Sequence, residues 1–154
     1  MVSQVRRIVT GHDARGRAIF AIEDTVAEAP LGAIVWSTDQ LPADNNGPAA
    51  PAPAPEGIAA PAGTVVRVMT IAPGHRSPMH RTQTLDFGVV IEGAIDLELD
   101  DGAVSTIRAG DVVVQRGTIH AWHNTSDAPC RIAFILVAAQ PLTVGGARLE
   151  PTHA

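Results

Sequence analysis

Gly74-His75-Arg76-Ser77-Pro78-Met79-His80-Arg81-Thr82-Gln83-Thr84-Leu85-Asp86-Phe87-Gly88-Val89-Val90-Ile91-Glu92-Gly93 is the stretch on which the reading of this chain turns. Pro73-Gly74 breaks the segment before it and Glu92-Gly93 is a turn, so both ends are marked. From His80 to Ile91 it reads as one long strand or a bent pair. Side chains along a strand alternate between its faces, which puts His80, Thr82, Thr84 and Asp86 together on one face. An imidazole and a carboxylate on one strand face can both reach a central ion.

The flanking sequence is also strand and turn. Upstream, Val5 to Val9, Ala18 to Ile22 and Ala33 to Thr38 are short strand candidates, with a polar turn at His12 to Gly16. Downstream, Ile95, Leu97 and Leu99 alternate with Asp96, Glu98 and Asp100, the period of a half-buried strand. Asp101-Gly102 signals a hairpin. Val104 to Ile107, Val112 to Val114, Ala121 to Asn124 and Arg131 to Ala138 follow, separated by glycine-bearing turns. No window carries a helical period, so the chain is expected to be all-β, a sandwich or a closed barrel. Gly145 to Ala154 reads as a loosely ordered tail that includes His153.

One segment breaks this rhythm. Residues 41–63 are dominated by Pro and Ala and hold Pro42, Pro48, Pro51, Pro53, Pro55 and Pro61, half of the chain's 12 prolines. Proline removes a backbone donor and fixes φ, so the segment is expected to be a long surface loop, either a lid or a tolerated insertion. The plan is a single domain over 1–154. N-terminal strands span about 4–38, the loop about 41–63 and a core about 64–139.

A second polar stretch, Gly110 to Asn124, places His120, Trp122 and Asn124 on one face and His123 on the other. Trp122 walls a cavity or packs in the core. The composition narrows the function. Of 154 residues, 45% are hydrophobic and 18% charged, with a net charge of -5. That balance argues against nucleic acid as a partner. No apolar run approaches the roughly 20 residues of a membrane helix, so no membrane role is expected. The single cysteine, Cys130, excludes an internal disulfide or a multi-cysteine zinc site. With no secretory pattern after Arg6-Arg7, a cytoplasmic setting is expected.

The two polar stretches resemble the paired motifs of the cupin family. Gly74, His80, Asp86 and Gly93 fall on the spacing of the family's first motif, and Gly110, His120 and Asn124 match the outline of its second. The resemblance spans roughly Val65 to Ala138 and is closest to small single-domain cupins. It implies a double-stranded β-helix, or jelly-roll, barrel carrying the N-terminal strands and the long Pro/Ala-rich loop. It also implies one divalent transition metal (Fe, Mn, Zn, Ni or Co) on His80, Asp86 and His120. Thr82, Thr84, Trp122 and Asn124 are then candidates for the substrate pocket. Thr82 stands where the family has its second histidine, Asp86 where it has a glutamate, and the second motif's turn is shortened. His75 is a candidate substitute for the missing ligand. The expected function is a metal-dependent, lyase-type enzyme acting on a small oxo or carboxylic acid. A dioxygenase using Fe(II) and a non-catalytic small-molecule-binding cupin are the alternatives. A homodimer is expected, the N-terminal strands covering a partner's sheet edge.

Overall fold

A computed structural model describes residues 3–152, so His153 lies outside the described residues. Among the described residues twelve strands run in chain order: β1 (Gln4–His12), β2 (Ala18–Ala27), β3 (Ala33–Ser37), β4 (Thr64–Ile71), β5 (Thr84–Glu92) and β6 (Ala94–Glu98). They continue as β7 (Val104–Arg108), β8 (Val112–Arg116), β9 (Ala121–His123), β10 (Cys130–Ala138), β11 (Leu142–Val144) and β12 (Ala147–Leu149). The one helical element among the described residues is a 3-10 turn at Asp100–Gly102, at the place of the expected hairpin turn. The all-β expectation holds.

Two sheets face each other. The larger has the order β3-β4-β10-β5-β8 and the smaller β7-β6-β9, every pairing antiparallel. On β5 burial alternates strictly from Thr84 to Val90, so one face is packed and the other partly wet. The packed face and the smaller sheet enclose Ile71, Val90, Ile95, Leu97, Trp122, Cys130 and Ile132. Fully burying an aliphatic side chain of this size stabilises by roughly 1.5–3 kcal/mol, so this cluster is the main fastening between the sheets. Trp122 meets Phe134 edge to face at 5.4 Å. Gly93 closes the decisive stretch because nothing larger fits. Its φ is +81°, and a Cβ there would lie 2.6 Å from the Pro129 carbonyl oxygen.

Three details depart from expectation. The strand expected from His80 begins at Thr84. His80 instead forms an isolated bridge with His120. The tail expected to be loose from Gly145 onward instead supplies the Gly145-Gly146 turn and the second strand of the β11–β12 hairpin, and Thr152 bridges Arg81. The Pro/Ala-rich segment lacks regular structure from 38 to 63, as expected, but it is not confined to the surface. Ala60 is buried, and with Ala59 it packs on Val65, Leu136 and Phe134. Arg67, only 2% exposed on β4, donates to the carbonyls of Ile58, Gly57 and Leu31 and so ties the loop to the sheet. Burial lowers the pKa of this guanidinium.

Candidate functional site

In the larger sheet one row of facing residues runs Val65, Leu136, Asp86, Gln115 across β4, β10, β5 and β8. The row is apolar at one end and polar at the other. Asp86 is 7% exposed and Gln115 5%. Above the polar end the two motif segments are stitched together. His80 and His120 exchange backbone hydrogen bonds of 2.9 and 3.0 Å, and their rings lie 4.2 Å apart. Arg81 reinforces the junction, its Nε donating to the Gly117 carbonyl at 3.0 Å.

Both imidazoles are held the same way. Nδ1 of His80 lies 2.9 Å from the Pro78 carbonyl and Nδ1 of His120 lies 2.9 Å from that of Thr118. A carbonyl only accepts, so each Nδ1 carries a proton, and in the neutral imidazole the lone pair is on Nε2. His120 Nε2 accepts from Gln115 Nε2 at 2.9 Å. The other Gln115 atom, Oε1, is buried with no partner among the described residues. Flipping the amide would set Oε1 against the His120 lone pair, so this orientation is the favoured one.

The carboxylate is held by hydroxyls. Thr84 Oγ1 donates to Asp86 Oδ1 at 2.5 Å. A hydroxyl has one proton, so the 2.8 Å contact between Thr82 and Thr84 uses the proton of Thr82. Thr82 lies 3.5 Å from Asp86 Oδ2, the longer contact. Burial raises the pKa of Asp86, while the Thr84, Gln115 and Thr82 side chains and the nearby His80 pull it down. Burial lowers His120 to about 4 against the opposing Thr118 carbonyl, and His80 adds to the fall. At neutral pH His120 is therefore uncharged.

The structure thus brings together His80, Thr82, Thr84, Asp86 and His120. Trp122 reaches the edge of this cluster, its ring 6.1 Å from that of His120, while packing in the core. Asn124 stays away from it. Its amide donates to the carbonyls of Ile71 and Ala128, and its Oδ1 accepts from Ser126, so it shapes the turn before β10. His75 is exposed in its turn, and His123 pairs with Asp96 on the smaller sheet. Gln115 is a member of the cluster that the motifs do not mark. Its signal lies in strand parity: on β8, Val113 and Gln115 share the inward face, and Gln115 is the polar one.

A match of residues 67–137 to the cupin-domain model, with relatives 36–37% identical over most of their own length, decides the family. The chain is a cupin. A cupin-domain-containing oxidoreductase of Aspergillus ruber is 37% identical, over 97% of this cupin and 80% of that protein. A phomopsin biosynthesis cluster protein of Diaporthe leptostromiformis is 36% identical, over 91% of this chain and 82% of its own. In fold the cupin resembles a Klebsiella pneumoniae protein with a double-stranded β-helix domain. The TM-score is 0.51 at 19% identity, covering 70% of this chain and 76% of that one.

The fit of this cupin to a metal is partial. An imidazole whose Nδ1 is pinned by a carbonyl and whose Nε2 is free is oriented as a metal ligand would be. Yet Thr82 replaces an imidazole, and His120 Nε2 is engaged by Gln115. Among the described residues, no three His, Cys, Asp or Glu side chains are gathered so as to hold one ion. As folded, the donors do not fit a three-ligand centre.

Proposed function

We propose that this cupin is an enzyme that moves protons on a small oxo or carboxylic acid, in a lyase-type reaction, at the His80, Thr82, Thr84, Asp86, Gln115 and His120 cluster. One observation carries the reading. Asp86 is a buried carboxyl held by a hydroxyl donor and set opposite Gln115, whose amide in turn holds the neutral imidazole of His120. A carboxyl whose pKa is pushed up by burial can carry a proton to or from carbon, the task of a general acid or base. Gln115 holds the His120 lone pair in place. The Thr84 hydroxyl fixes the Asp86 rotamer, and Thr82 in turn fixes Thr84. His80, partly exposed beside His120, links the cluster to solvent.

The test works whichever product forms. A panel of 2-oxo acids is incubated with the protein in deuterium oxide, and exchange at the carbon beside the carbonyl is followed by proton NMR. The expected result is faster exchange for at least one acid with wild type and none with Asp86→Asn. Equal acceleration by Asp86→Asn, or none by wild type, would overturn the proposal.

A second reading is favoured by the pinned Nδ1 atoms and by the oxidoreductase names of relatives such as the Aspergillus ruber protein. In it His80, Asp86 and His120, once rearranged, would hold a divalent transition metal, which would supply redox chemistry. Gln115 must first release His120. Elemental analysis of the purified protein beside His80→Ala separates the two. Stoichiometric metal lost in the variant supports the second reading, and wild type without metal after reconstitution supports the first.

A further inference from the structure

A cavity of about 340 Å³ lies between the start of β5, the end of β8 and the β11–β12 hairpin. It shares only Thr82 and Thr84 with the cluster above. Its walls include Leu85, Pro141, Leu142 and Leu149, and its charged lining residues are Arg81 and Arg116, with no carboxylate. On a chain of net charge -5, a hollow with two cations and no anion is a local reversal of sign. Arg81 is anchored through Nε to Gly117, leaving its Nη2 without a protein partner among the described residues. Arg116 is exposed and makes no side-chain hydrogen bond or ion pair among the described residues. Leu85 and Arg116 are register partners, so an apolar wall and a guanidinium stand side by side.

We propose that this cavity is a binding site for a small amphipathic carboxylate. The anionic end lies at Arg116 and Arg81, and the hydrocarbon lies against Leu85, Leu142 and Leu149. Arginine suits this role because its planar fork meets a carboxylate with two parallel hydrogen bonds. The volume is at the lower end of ligand pockets, which suits a ligand of roughly ten non-hydrogen atoms. The site stands independently of any chemistry at Asp86.

Octanoate is the probe, with octan-1-ol as the neutral partner of equal length. Each is titrated into the intact protein and followed by amide chemical shifts, which locate the site as well as measuring affinity. The expected result is saturable octanoate binding that shifts Gly117, Leu142 and Leu149, with octan-1-ol weaker. Arg116→Ala, at an exposed position, should weaken octanoate about ten-fold. Leu142→Ala should weaken both probes together. Absent octanoate binding at millimolar concentration, shifts confined to another part of the molecule, octan-1-ol binding as tight as octanoate, or unchanged affinity in Arg116→Ala would each overturn the proposal.

Discussion

Replacing Arg67 by Met tests whether the Pro/Ala-rich loop is part of the barrel wall. The guanidinium is 2% exposed and donates to three carbonyls, from Leu31, Gly57 and Ile58. Met keeps an unbranched stem of similar length and removes every donor. Each lost hydrogen bond is worth roughly 1 kcal/mol net, about 3 kcal/mol together. The cost of burying the cation, visible in the downward shift of its pKa, is recovered at the same time. The balance is a loss of about 2 kcal/mol, which for a domain of this size lowers Tm by roughly 4–8 °C. Arg67→Lys should lose nearly as much, because one ammonium cannot reach carbonyls now served by three separate nitrogens. Thermal unfolding by circular dichroism gives the total, and amide exchange at Gly57 to Ala60 gives the location. A Tm within roughly 1 °C of wild type, with those amides unchanged, would refute the reasoning.

Acid should destabilise the protein through His120. Its pKa is lowered to about 4 in the fold, so between its ordinary value and that point the unfolded chain binds the extra proton. Stability from this group is full above about pH 6.5 and is lost as pH falls towards 4, by up to about 3 kcal/mol. Asp86, shifted the other way, takes up its proton earlier when folded and partly offsets the loss. Tm against pH should be flatter in His120→Gln than in wild type. Cys130 is fully buried with its thiol pKa raised, so it should react with a disulfide reagent at pH 8 only when denaturant is added. On the edge strand β8, Val112 and Val114 are 58% and 56% exposed. If the expected homodimer forms along this edge, Val114→Lys should lower the mass measured by light scattering, and an unchanged mass would place the contact elsewhere.

The strands are legible in the sequence because period two and glycine turns act locally. Ile95, Leu97 and Leu99 alternate whatever else the chain does, and two of them, Ile95 and Leu97, are in the core. The meeting of His80 with His120 is legible only through motif spacing, since the bridge joins residues 40 apart in sequence. The features that escape a sequence reading depend on partners far along the chain. Nothing near Gln115 in sequence indicates that its amide serves His120. Nothing near Arg67 indicates that three carbonyls wait for it, and the polarity of an arginine argues for the surface. The β11–β12 hairpin escapes for a related reason: its strands are only three residues each, and the chain just beyond them is held through Thr152 by Arg81, 71 residues away.

These residues belong to one physical arrangement. The row that ends in Asp86 and Gln115 begins in Val65 and Leu136, and those two are sealed by Ala59 and Ala60 of the loop. The loop is held by Arg67. If the loop keeps water from this row, the burial that raises Asp86 and lowers His120 depends on it, although it donates nothing to either group. Releasing the loop should admit water beside Leu136 and let both groups relax. In Arg67→Met, the His120 titration followed by NMR should move upward from about 4 towards its ordinary value, while the 2.9 Å contact from Thr118 still fixes its tautomer. An unchanged His120 titration in a variant whose loop amides exchange freely would mean that the two sheets alone keep the cluster dry. The Pro/Ala-rich segment would then be a cover without influence on the chemistry beneath it.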